Sequence, residues 1–133
     1  MNSGLTKYFY LAGAAYFVCM AIAHFFGLKV PILFVYYDTP YYAYQDKIIS
    51  FAVCAYIGLF WSAASNRSVA LVAIIVLAIT VVGLVSVNIS EALASVMSTE
   101  QTTLPYWMQT IAIGMYLAIL LFMYIRDGKS RDE

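Results

Sequence analysis

Charge is scarce in this chain: seven Lys or Arg and seven Asp or Glu stand among 133 residues, and they cancel. So few ionised groups cannot clothe a soluble globule, and a net charge of zero leaves no basic surface for nucleic acid, so no nucleic-acid partner is expected. Cysteine is nearly as rare. Cys19 and Cys54 lie inside apolar runs with no CxxC or Cys/His spacing, which argues against a disulfide framework or a zinc site and leaves both as small packing residues. A lone histidine, His24, would have to serve every catalytic pairing. No nucleophile has a base beside it and no glycine-rich phosphate loop occurs, so an enzyme is the weakest reading and the sequence names no metal and no cofactor.

What the chain has in excess is hydrocarbon: 64% of residues are hydrophobic, 17% are aromatic, and the mean hydropathy is +0.84. A span needs about 20 apolar residues to cross a core about 30 Å thick. Four segments qualify, at about residues 7–26, 40–65, 68–91 and 105–126. Lys7 followed by an apolar run and "AIA" at 21–23 imitates a signal peptide, but the run is longer than the usual apolar region of a leader and is read as a span. Gly27 falls where a helix commonly stops in the left-handed conformation. Pro40, after Asp38 or Thr39 as cap, and Pro105, after "TTLP" opens, suit first helical turns.

In hydrocarbon every backbone amide must bond internally. The expected fold is therefore an all-α membrane protein, an antiparallel four-helix transmembrane bundle, with residues 1–126 as a single domain and 127–133 as a polar cytoplasmic tail. Lys7, Arg67, Arg126, Lys129 and Arg131 would share one side, and only Lys29 and Lys47 among the bases the other. The positive-inside rule then puts both termini in the cytoplasm, in a cell inner membrane.

The stretch "YYDTPYYAYQDK", residues 36–47, crowds five tyrosines and two aspartates together. An outer aromatic belt accounts for much of "YYAY", 41–44, with Tyr106 and Trp107 in the same belt and Trp61 in the inner one. The connection "LKVPILFVYY", 28–37, is apolar yet too short to span, and is read as a lid over the bundle mouth. With "HFFG" at 24–27 and a proline at 31 in a four-span chain of this length, the sequence resembles the small DoxX-like membrane proteins over residues 24–31. The glycine-rich and acidic features of that family's spans are missing, and no functional residue carries over.

Helix contacts in lipid favour small residues. Candidate rows are Ala15, Cys19 and Ala23; Ser50, Cys54, Gly58 and Ser62; Ala78, Val82, Ser86 and Ser90; and Thr110, Gly114 and Ala118. The threading also gathers polar residues in the outer half: His24, Tyr42 and Asp46 on one side, Asn88, Glu91 and Ser95 on one face of a continuous third helix, and Gln109 on the fourth. Ionisable groups in a span are costly and point to function. Two carboxylates and an imidazole could relay protons or ions, or hold a divalent metal, although no metal-ligand spacing supports the latter. The leading expectation is a small subunit or interaction module of a homo-oligomer or larger membrane complex. The alternative is a binding or transport protein with an outward-facing pocket for a hydrophobic ligand such as a lipid or quinone, a proton or an ion, beneath the tyrosine-rich loop 28–46.

Overall fold

The computed structural model of the chain describes residues 2–30, 33–34 and 36–132, and the side chains of 130–132 lie outside that description. Among the described residues the structure is helical and contains no strand: α1 (Gly4–Phe26), α2 (Tyr42–Ser65), α3 (Arg67–Asn88), a short α4 (Glu91–Val96) and α5 (Leu104–Asp132). Four helices are long and apolar enough to cross a membrane, namely α1, α2, α3 and residues Leu104–Lys129 of α5.

Local chemistry sets most helix ends. Ser3 caps α1 by accepting from the Thr6 amide, and Gly27 ends it at φ 68°, its own N–H donating to the Ala23 carbonyl. Only a residue without a Cβ takes that conformation at no steric cost. Asn66 alone links α2 to α3, and its side-chain oxygen accepts from Ser68 and Val69. Trp107 donates to the Thr103 carbonyl, so Pro105 sits in the first turn of α5, where its missing N–H is harmless.

Three expected boundaries move. α2 begins at Tyr42 rather than Pro40, because Pro40 lies in a turn closed by the Tyr42 amide on the Thr39 carbonyl and Tyr41 takes a left-handed φ of 64°. Neither Asp38 nor Thr39 caps it; Tyr41 holds the cap position with no side-chain bond. α3 stops at Asn88, because the Ser90 hydroxyl accepts from the Leu93 amide and starts α4. Asn88 and Glu91 therefore belong to different helices and do not share a face. At the other end α5 continues through Asp132, so the segment expected as a tail from 127 is helical.

The core lies chiefly between α1 and α2, while α3 bridges α2 and α5 and α1 meets α5 only sparsely. Tyr10, Phe17, Phe60, Leu77 and Leu120 fill it. Close approach occurs at Gly13, where an added Cβ would run into the Tyr116 hydroxyl and lie 2.7 Å from the Phe60 ring. The buried face of α1 runs through Thr6, Tyr10, Gly13, Phe17, Met20 and Ala23 at helical spacing, which turns Ala15 and Cys19 outward. Ser50 is buried, whereas Cys54 and Gly58 are exposed, and a Cβ at Gly58 or Gly114 would meet nothing within 4 Å. Most of the small-residue rows thus lie on the outer surface of the chain.

Polar groups tie one end of the molecule together. Asn2 donates to the Ala63 carbonyl at 2.6 Å, the Ser3 amide to Asp127 Oδ2 at 2.8 Å, Arg126 to the Ser3 hydroxyl at 2.9 Å, and Arg67 to the Tyr124 carbonyl at 2.8 Å. These bonds bring the start of α1, the α2–α3 junction and the end of α5 together.

Candidate functional site

At the opposite end, His24 in the last turn of α1 meets Asp46 of α2, with Nδ1 3.0 Å from Oδ1. Both side chains are nearly buried, 12% and 10% exposed. A carboxylate can only accept, so the proton of this bond sits on Nδ1 of the ring. The other carboxylate oxygen, Oδ2, is buried and has no hydrogen-bond partner among the described residues. Such a group is costly unless something donates to it.

The pair separates two hollows. On the outer side is a recess of about 280 Å³ in which Lys29, Asp38 and Lys47 join His24, Tyr42 and Asp46. Lys29 pairs with Asp38, which pins the two ends of the connecting loop to each other, and Lys47 donates to the Phe25 carbonyl at 3.4 Å. On the inner side is a half-open cavity of about 400 Å³ bordered by α1, α2, α3, α5 and the loop. His24, Tyr42, Asp46, Asn88 and Gln109 all line it, above an apolar floor that includes Phe17, Leu77 and Ile113. Five residues singled out in the sequence therefore converge on one space.

Asn88 and Gln109 are held there by neighbours. Asn88 is buried and donates to the Thr110 hydroxyl at 2.9 Å, and Thr110 in turn donates to the Tyr106 carbonyl at 2.8 Å. Gln109 Nε2 donates to the Leu33 carbonyl at 3.2 Å, and Tyr16 of α1 donates to the same carbonyl at 2.8 Å. One loop carbonyl is thus clamped from two helices, and the loop roofs the cavity. The connection 28–37 was expected as such a lid, although Pro31, Ile32 and Val35 lie outside the described residues.

Glu91 is not part of this arrangement. It is exposed in the first turn of α4, a separate helix capped by Ser90, and does not line the cavity. The three-residue relay or metal set of His24, Asp46 and Glu91 is dissolved with it, and among the described residues no three His, Cys, Asp or Glu are grouped to hold a metal ion.

Tyr36 and Tyr16 escaped the sequence reading. Tyr36 lines the cavity with its ring 5.1 Å from that of Tyr106, and its buried hydroxyl has no partner among the described residues. Burial pushes its pKa up, with the neighbouring Tyr16 and Tyr106 adding to the effect, so the phenol keeps its proton and can donate. Tyr36 falls in the apolar connection 28–37, read as a lid, where nothing local marks its hydroxyl. Tyr16 sits in an apolar helix and carries no local mark of its bond to the loop.

No family model matches the chain, and no curated protein or solved structure is similar to it.

Proposed function

We propose that this is a membrane-embedded binding or transport protein for a small hydrophobic molecule with a polar head, received in the cavity beneath the 28–41 loop. The observation that carries the reading is the His24–Asp46 pair, which lines a largely apolar space: its nearly buried carboxyl group is held by an imidazole and has one oxygen with no hydrogen-bond partner among the described residues. Ligand sites commonly have this make-up, apolar walls with a few convergent polar groups that fix orientation. A lipid with a donor in its head has the required character, as does a quinone whose carbonyl accepts from the unpartnered Tyr36 hydroxyl.

The chain would cross an inner membrane four times as an antiparallel bundle, with both termini in the cytoplasm and the cavity opening outward. Support comes from the five bases Lys7, Arg67, Arg126, Lys129 and Arg131 toward one end against Lys29 and Lys47 toward the other. Labelling of single cysteines placed at Arg67 and Lys47 in sealed cells checks it; reaction from outside at position 67 overturns it.

Gentle purification followed by mass spectrometry of attached small molecules tests the function. A hydrophobic molecule should accompany the wild-type protein and be lost from Asp46→Asn with helical content unchanged. A wild-type protein that carries only bulk lipid, and whose melting no component of the host membrane's lipid and quinone extract shifts, removes the proposal.

A second reading, a subunit of a homo-oligomer or larger membrane complex, is favoured by one observation. Ala15, Cys19, Cys54 and Gly58 are small and exposed on α1 and α2, and small residues are what helices in lipid use for close contact. Gly58→Leu should then dissociate the assembly, and an unchanged assembly size on a native gel would remove this support.

A further inference from the structure

A third hollow, of about 250 Å³, lies between α1 and α5, where those two helices pack sparsely. Ala12, Ala112 and Tyr116 line it, and it shares Phe17, Leu77, Gln109 and Ile113 with the cavity that holds His24 and Asp46. The two spaces therefore adjoin. Ala12 of α1 and Ala112 of α5 line the hollow and are exposed, so it opens to the surface of the chain between these two helices. Apart from the Gln109 amide and two tyrosine hydroxyls its lining is hydrocarbon, and those hydroxyls are engaged, Tyr16 with the Leu33 carbonyl and Tyr116 with the Phe9 carbonyl.

The slot begins beneath the loop at Leu33 and Gln109, beside the polar cavity, and runs down to Gly13 and Tyr116. From Gly13 in the lateral slot to His24 at the polar cavity is eleven residues of α1, about 16 Å at 1.5 Å per residue. That is about half the thickness of a hydrocarbon core. A polar head at the mouth and an apolar slot that runs from the loop toward mid-depth match the arrangement of a lipid within one leaflet.

Resting on the binding function above, we propose that the ligand is a single-chain amphiphile with a hydroxyl head, which donates to Asp46 Oδ2 while its hydrocarbon tail occupies the α1–α5 slot, reached sideways from the bilayer. A tail gains little by leaving lipid for a slot equally apolar, so the slot sets which chains fit and the head decides which molecule is held. The head must donate, because the free oxygen of a carboxylate can only accept. A fatty acid or a phosphorylated lipid would present a second negative charge to Asp46 and is excluded.

The test uses the full chain in detergent micelles with three photoreactive probes: diazirine-bearing hexadecanol, hexanol and palmitate. Hexadecanol should label slot residues of α1 and α5, hexanol should label only around His24 and Tyr42, and palmitate should label neither. Ala112→Trp, at an exposed position, plugs the slot and should lower hexadecanol labelling about tenfold or more while leaving hexanol labelling intact; Ala12→Phe on the facing helix should do the same and serves if the first variant does not fold. Asp46→Asn should lower labelling by both alcohols. If hexanol labelling depends on Asp46 but neither plug affects hexadecanol, or the plugs lower both probes equally, the lateral tail route is wrong and the binding function stands. Efficient palmitate labelling of the slot overturns the hydroxyl head. If neither alcohol labels the wild-type protein, the route and the binding function fall together.

Discussion

Asn88, the last residue of α3, donates to the hydroxyl of Thr110 in α5 across 2.9 Å, and both residues are buried. The two sides of this bond are not equivalent. Thr110 also donates to the Tyr106 carbonyl, so Asn88→Ala leaves its hydroxyl satisfied, whereas Thr110→Val strands a buried amide. Thr110→Val should cost about 1–3 kcal/mol and Asn88→Ala about 0.6 kcal/mol, the average for hydrogen bonds between helices in a membrane protein. Unfolding titrations in mixed SDS micelles measure both, and equal losses would show that the amide finds another partner.

Gly13 is the position where α1 tolerates no side chain. In Gly13→Ala the new methyl displaces the Tyr116 hydroxyl, which now donates to the Phe9 carbonyl at 2.8 Å, and crowds Phe60. Overpacking of this kind costs about 1–3 kcal/mol. Gly58→Ala, with open space around it, should change the stability of the monomer by less than about 0.5 kcal/mol. The same titration, run on both variants, checks the contrast.

His24 and Asp46 should be energetically coupled. A double-mutant cycle with His24→Gln and Asp46→Asn should give an interaction energy on the order of 1–2 kcal/mol, within the range for residues in direct contact. Additive losses would mean that the 3.0 Å contact contributes nothing measurable.

Asp127 anchors the far end. It accepts from the Ser3 amide at 2.8 Å and from Arg126 at 2.9 Å, and is 5% exposed. Asp127→Ala should destabilise by about 1–3 kcal/mol, because it strips the acceptor from charged and backbone donors together. Lys129→Ala, at an exposed site, should be silent within about 0.5 kcal/mol. Hydrogen exchange at the amides of residues 2–6 reports the same event, rising in the first variant alone.

That anchor also marks the limit of what the chain reveals when read as text. Four apolar runs of the right length announce themselves, because hydrocarbon demands about 20 such residues in a row. Polarity confined to one end of those runs was enough to bring His24, Tyr42, Asp46, Asn88 and Gln109 to one place. The bond from Ser3 to Asp127 joins residues 124 apart, and no local pattern encodes it, so "RDGKSRDE" read as a loose end. The stop at Asn88 was hidden for another reason: apolar residues continue past it in "NISEALASV", and only the cap chemistry of Ser90 betrays the break. Gly13 carries no local signal, because it belongs to no four-residue row of small residues and works alone against two aromatic side chains, Tyr116 and Phe60.

The early end of α3 has a consequence for the membrane that surrounds it. At 22 residues α3 reaches about 33 Å, while the 29 residues of α5 reach about 43 Å. One helix matches the hydrocarbon with almost nothing to spare and its neighbour overshoots. Thicker, sterol-like bilayers would therefore strain the protein at α3 first, drawing the polar Ser90–Glu91 corner toward the acyl chains, while thinner ones are absorbed by tilting α5. Bilayer thickness becomes a variable to which this bundle responds unevenly, with its shortest span as the gauge.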